Sequence, residues 1–145
     1  MILVQKILFL KNVPLFSTMP PDTLAWVAEA ADETSCLSGQ AIFEKGSKGD
    51  SMYVIADGSV RIHDGAKTFA SLPQGAFFGE LSILDGETRS ASATAESDCL
   101  LLVISQNSFQ RILSKHFDMA ENLIKILVRR IREQSTQLQQ QQNED

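Results

Sequence analysis

The sequence is short of the residues that usually announce an active site. It has two histidines, His63 and His116, which fall in a predicted strand and at a predicted helix end. A metal site usually takes three or four ligands, so a metal-dependent barrel enzyme is not supported, and both histidines read as surface residues. No credible Ser/His/Asp or Cys/His set exists either, and the chain does not read as an enzyme. The two cysteines, Cys36 and Cys99, lie far apart without Cys-x-x-Cys spacing. Two buried reduced thiols are expected, and nothing in the spacing supports a disulfide. No apolar run approaches the roughly 20 residues of a membrane span. Basic residues are outnumbered, 13 against 18 acidic, for a net charge of −5 and a pI near 5.0. That balance argues against a general nucleic-acid or anionic-membrane surface, which needs many Lys and Arg contacts.

The opening "MILVQKILFLKNV" lacks a charged start, and Lys6 and Lys11 interrupt its apolar residues. It reads as an amphipathic helix that stays on the protein, not a signal peptide. The chain is expected to be cytoplasmic and unprocessed.

What is present suits one domain: 145 residues, 43% of them apolar. Ile2 to Val13 reads as a helix that Pro14 ends. Pro20 and Pro21 suit the start of another, with Leu24, Val27, Ala28 and Ala31 at helical spacing and Trp26 off that stripe. From Ser35 the period changes. Val60 and Ile62 alternate with Ser59, Arg61 and His63, as in a strand with one wet face. "KGSKGD" and "ADGS" are turns. "KTFASL" and "CLLLVI" are further strands, and the spacing of turns points to a sandwich or barrel. From Ser105 the helical period returns, with Phe109, Ile112 and Leu113 on one face. Asp118 and Glu121 resemble a capping pair for a last helix. Ile124, Leu127, Ile131, Gln134 and Leu138 then form a short coiled-coil seam. The first two are expected in the core, and Leu138 is expected to meet a partner chain. The division expected is one domain over 1–134, with a helical N-terminal region over 1–33, a β core 35–104 and helices 105–134. A Gln-rich tail, 135–145, is expected to fray.

One stretch carries the functional signal: "FFGELSILDGETRSASA", residues 77–93. Arg89 is the sole basic residue between Lys67 and Arg111. Gly79 and Glu80 open a short helical segment whose free N–H groups attract an anion, and glycine lets a ligand approach the backbone. Arg89 can turn its planar fork onto the same anion. Glu80 beside an anion is unfavourable unless it accepts hydrogen bonds, which a ligand hydroxyl supplies. The ligand then carries a phosphate and a free hydroxyl. The competing reading is a plain Glu80–Arg89 salt bridge holding the loop.

The segment resembles the phosphate-binding cassette of the cyclic nucleotide-binding domain family. Phe78-Gly79-Glu80-Leu81 and Arg89-Ser90-Ala91-Ser92 carry the resemblance. "GSKGDSMYVIADGSVRI" is similar to the family's glycine-punctuated strands, and "PLFSTMPPDTLAWVAEAA" to its leading helix. The resemblance runs from about Val13 to Arg132. It implies a mainly β, α+β fold: an eight-stranded jelly-roll-like barrel or sandwich flanked by N-terminal and C-terminal helices. It implies that Glu80 accepts the ribose 2′-hydroxyl, that Gly79 and the N–H groups of Leu81 and Ser82 approach ribose and phosphate, and that Arg89 pairs with the cyclic phosphate. Ser90 leaves the base open between cAMP and cGMP, with a lean to cAMP. Ser92 reads better as a small core-facing strand residue. The base lid would come from the last helix, with Arg130 stacking on the purine. No cofactor is implied beyond this ligand. A homodimer through the last helix is expected, with movement of that helix as the signal. No downstream effector is legible. The alternative is a ligand-free interaction module that keeps the fold.

Overall fold

The computed structural model describes residues 1–144. Its β elements form two four-stranded antiparallel sheets. The first has the order β1–β8–β3–β6, with β1 Asp32–Cys36, β8 Cys99–Ser105, β3 Ser51–Asp57 and β6 Phe77–Phe78. The second has the order β2–β7–β4–β5, with β2 Ala41–Phe43, β7 Ser92–Ala95, β4 Val60–Asp64 and β5 Lys67–Leu72. Helices α1 (Leu3–Lys11), α2 (Pro21–Ala30), α4 (Gln106–Lys115) and α5 (Phe117–Glu144) flank this sandwich, and a short α3 (Glu80–Asp85) interrupts it.

The strands divide two cores between them. In β8 the run Cys99–Ile104 is apolar throughout because both faces are covered. Leu101 points between the sheets with Ile55, Val60, Phe78, Ala93 and Ala95. Leu102 and Ile104 point the other way, into a layer with Leu10, Phe16, Val27, Phe109 and Met119 from the helices. β3 alternates likewise, with Met52 and Val54 facing the helices and Ile55 facing the second sheet. Such two-sided strands read as continuous apolar runs. In β4 Val60 and Ile62 pack between the sheets with Arg61 turned out, and a bulge between Ile62 and His63 breaks the alternation and turns the histidine inward.

Several expectations are corrected. His63 is buried, not superficial: its Nδ1 lies 2.8 Å from the Gly65 carbonyl and its Nε2 2.7 Å from Thr94 Oγ1. His116 is half-buried, with its Nε2 3.3 Å from Thr23 Oγ1. The last helix begins at Phe117, so Asp118 lies within its first turn and does not cap it. That helix also runs on through the Gln-rich segment to Glu144, since glutamine and glutamate sustain helices well; Asp145 lies outside the described residues.

α5 buries Met119 and Leu123 and packs Ile126 and Leu127 on the core. Ile124, expected inside, is 60% exposed instead. The outward stripe is Ile124, Val128, Ile131 and Leu138. Leu127 is not part of it because a helix turned to seat Leu123 on the domain must face Ile124 away. Among the described residues no helix is long and apolar enough to cross a membrane.

Candidate functional site

β6 delivers Phe78 to Gly79, which adopts the left-handed conformation (φ 83°) and so turns the chain directly into α3. Gly86 closes α3 in the same conformation, with its N–H bonded to the Ser82 carbonyl at 3.0 Å. The returning loop carries Arg89 back beneath this turn. Its backbone is clamped to the loop after β2: Arg89 N–H donates to the Ser47 carbonyl and Gly46 N–H donates to the Arg89 carbonyl, both at 2.8 Å.

Arg89 is 4% exposed, deep for a permanent cation. One terminal nitrogen donates to the Gly79 carbonyl at 2.7 Å and the other to the Ser51 carbonyl at 2.8 Å. The guanidinium lies 4.1 Å from the Phe43 ring centroid and 6.0 Å from that of Tyr53. None of the ion pairs among the described residues includes it. Its Nε–H is buried and meets no acceptor, the sole such side-chain atom among the described residues. Burial therefore lowers the Arg89 pKa, with the nearby Tyr53, Asp50 and Glu80 opposing that shift.

Glu80 is 3% exposed. Arg130 of α5 donates to its Oε1 at 2.9 Å. Arg130 also donates to the Phe77 carbonyl at 3.0 Å and sits 4.5 Å from the Phe77 ring centroid. Burial raises the Glu80 pKa above its ordinary value, and Arg130, its own backbone and Arg89 hold it down in part.

The structure thus gathers Gly79, Glu80, Ser82, Arg89 and Arg130 around one turn. Ser82 is buried and Leu81 is 47% exposed. Ser90, next to Arg89 in the chain, is exposed. The simple Glu80–Arg89 salt bridge is not formed: Glu80 pairs with Arg130, and Arg89 pairs with backbone carbonyls. Arg130 sits over the Phe77 ring, where an arginine stacked on a base was expected. Ser92 does face inward, with its Oγ accepting from Lys45 N–H at 2.9 Å. Among the described residues no three His, Cys, Asp or Glu side chains gather as metal ligands.

Sequence reasoning missed Gly49. A Cβ there would meet Arg89 Nε at 2.6 Å, Arg89 Cζ at 2.7 Å and Ser82 Cβ at 2.7 Å. The glycine in "KGSKGD" does more than turn the chain: it lets one loop lie flat on the guanidinium. A second glycine so soon after Gly46, in a loop that one glycine already turns, was the available hint. Phe43 and Tyr53 were also missed, because nothing local distinguishes a ring that faces a cation from one that faces a core.

The sequence model described as "Cyclic nucleotide-binding domain" matches residues 33–116, more than half of the chain. The chain belongs to the cyclic nucleotide-binding domain family. A curated relative, the "Cyclic AMP receptor protein" of Thermus thermophilus, is 34% identical over 134 residues, covering 89% of this chain and 62% of the relative. The structure resembles one titled "Sp-2Cl-cAMPS bound to PKAR CBD2", with a TM-score of 0.76, 23% identity, and coverage of 93% of this chain and 95% of that one. It also resembles the "Regulatory subunit of a cAMP-independent protein kinase A from Trypanosoma cruzi bound to guanosine", with a TM-score of 0.71, 23% identity, and coverage of 77% and 41%. The chain spans less than two thirds of the length of the curated relatives it matches. Membership accounts for the mainly β sandwich of eight strands with flanking helices. In this family member the Phe-Gly-Glu-Leu turn and Arg89 meet at the end of the first sheet, where Arg130 reaches in from α5.

Proposed function

We propose that this chain is a cyclic nucleotide sensor in which Arg89 receives the cyclic phosphate and Glu80 the ribose 2′-hydroxyl. The observation that carries this reading is the buried Arg89 guanidinium with its unpartnered Nε–H. A buried cation and an orphaned donor both cost free energy, and one anion relieves both. A phosphate gripped by two guanidinium nitrogens fits that need. The N–H groups of Leu81 and Ser82 belong to the same turn, and Gly79 leaves room for the guanidinium beside it, since a Cβ there would lie 2.9 Å from an Arg89 terminal nitrogen. Ser90 leaves the base preference open, and the relative named as a cyclic AMP receptor favours cAMP over cGMP.

Signalling would follow from Arg130. It ties α5 to Glu80, the residue a ribose would engage. A nucleotide that favours one arrangement of this pair shifts the population of α5 positions. The outward stripe Ile124, Val128, Ile131 and Leu138 alternates four, three and seven residues apart, the spacing of a two-stranded seam, and a second copy of this chain is its partner.

A second reading has its own support. Arg130 already satisfies Glu80, and two carbonyls already hold Arg89. One structural neighbour is titled cAMP-independent and carries guanosine. The domain would then be an interaction module without a cyclic phosphate ligand.

Isothermal titration with cAMP, cGMP and guanosine separates the two. The sensor reading expects saturable binding of a cyclic nucleotide and a raised melting temperature. Arg89→Ala, checked for fold by circular dichroism, should weaken it at least tenfold, since each bond to a charged group is worth about 1.5–3 kcal/mol. Binding of guanosine alone, or no binding at all, would overturn the assignment.

A further inference from the structure

Cys36 and Cys99 are 63 positions apart in the chain and directly opposite each other in the sheet. They close the β1–β8 ladder as register partners, so their side chains leave the sheet on the same face. Both are free thiols, 6% and 5% exposed. The two line one cleft of about 270 Å³, together with Ser35, Leu37, Asp57 and Asp98. The cleft opens the pair to small solutes that a sealed core would exclude.

We propose that Cys36 and Cys99 are a dithiol modification site that a hydroperoxide converts, reversibly, into an intramolecular disulfide. Facing residues on antiparallel strands hold their Cβ atoms about 4.5–5.5 Å apart, and a disulfide needs about 3.5–4.5 Å. The approach required is therefore about 1 Å. β1 can supply it, because it is the edge strand of its sheet and has no neighbour beyond it. Cys99 is the more confined partner. Its Sγ donates towards the Ser59 and Ser97 carbonyls at 3.2 Å, and Gly58 lies against it without a side chain. Cys36 is thus the thiol that moves.

The chemistry balances with one peroxide. The first thiolate attacks a peroxide oxygen, the O–O bond breaks, and a sulfenic acid and one water (or alcohol) result. The second thiolate then attacks that sulfur and displaces the hydroxide, which leaves as water. Two thiols lose two electrons and two protons, and both peroxide oxygens end as water or alcohol. A soluble dithiol restores the pair by exchange. Burial, and then the neighbouring Cys99, raise the Cys36 pKa above its ordinary value, so oxidation should quicken with rising pH.

The staple lies far from the cassette. Ser105, at the other end of β8, pairs with Ser51, whose carbonyl holds Arg89. Six strand steps, roughly 20 Å, separate it from Cys99.

The test treats the folded chain with hydrogen peroxide, then blocks remaining thiols with N-ethylmaleimide in denaturant and maps a non-reducing digest by mass spectrometry. The expected result is a linked peptide containing Cys36 and Cys99, lighter by two hydrogens, absent after dithiothreitol and absent in Cys36→Ser. Maleimide on both cysteines, separate sulfinic acids, or a disulfide between two chains would each overturn the proposal. The mapping reads the unmutated chain, so it does not depend on how well the variant folds.

Discussion

Replacing Arg130 with alanine removes three contacts at once: the 2.9 Å bond to Glu80, the 3.0 Å bond to the Phe77 carbonyl and the seat on the Phe77 ring. Both bonds are donated by a charged guanidinium, and a bond of that kind is worth about 1.5–3 kcal/mol, while an exposed cation–π contact is worth about 0.5–1 kcal/mol. These contributions do not add. The Arg130 side chain is 34% exposed, so water replaces part of what is lost. Glu80, at 4% side-chain exposure, is then left buried without its cation. The expected net loss is about 2–3 kcal/mol. For a chain of this size that lowers the melting temperature by roughly 6–12 °C. Urea unfolding at pH 7 without nucleotide measures it. Glu80→Gln and the double variant complete a cycle, with a coupling energy of about 1 kcal/mol or more expected between the two sites. A loss below about 0.5 kcal/mol, or zero coupling, would refute the view that Arg130 latches α5 onto this turn.

The Glu80 carboxyl sets a pH dependence. Its folded pKa lies above the ordinary 4.5, so the folded chain binds this proton more tightly than the unfolded chain. Its contribution is most favourable below pH 4.5 and is lost as pH rises through the raised value. Glu80→Gln should flatten that portion of a stability–pH curve, and the Arg130→Ala deficit should shrink as pH falls; parallel curves for all variants would contradict this. Gly49→Ala should destabilise by about 1–3 kcal/mol through overpacking against Arg89 and Ser82, and should weaken nucleotide binding in the same titration; unchanged stability and affinity would mean that the loop yields freely. Ile131→Glu, at a position 61% exposed, should leave monomer stability within about 0.5 kcal/mol and abolish self-association in light scattering. A wild-type chain that is monomeric at high concentration would dispose of the seam.

Much of this architecture was legible because each element has a local cause. β4 shows its alternation through Val60, Arg61 and Ile62, although the bulge before His63 turns that residue inward, and the Gly-Glu pair after two phenylalanines marks the start of α3. What stayed hidden depends on which elements meet. The pairing of Cys36 with Cys99 is a property of the β1–β8 register, and no spacing rule reaches across it. Gly49 looked like any turn glycine, because its neighbour Arg89 arrives from another loop. Ile124 followed a sound heptad pattern, yet α5 is rotated by the demands of Met119 and Leu123. Arg130 was picked out as a lid that stacks on the purine base. Its carboxylate partner was not, since the reach of Arg130 from α5 to Glu80 at the start of α3 is a tertiary fact.

β8 is a party wall. Leu101 belongs to one apolar interior, and Leu102 and Ile104 to the other. Neither interior can open without stripping a strand that the other still needs. The helical layer and the sandwich should therefore melt together, in a single calorimetric transition whose van't Hoff and measured enthalpies agree. A push on the helices is then felt between the sheets without any dedicated relay.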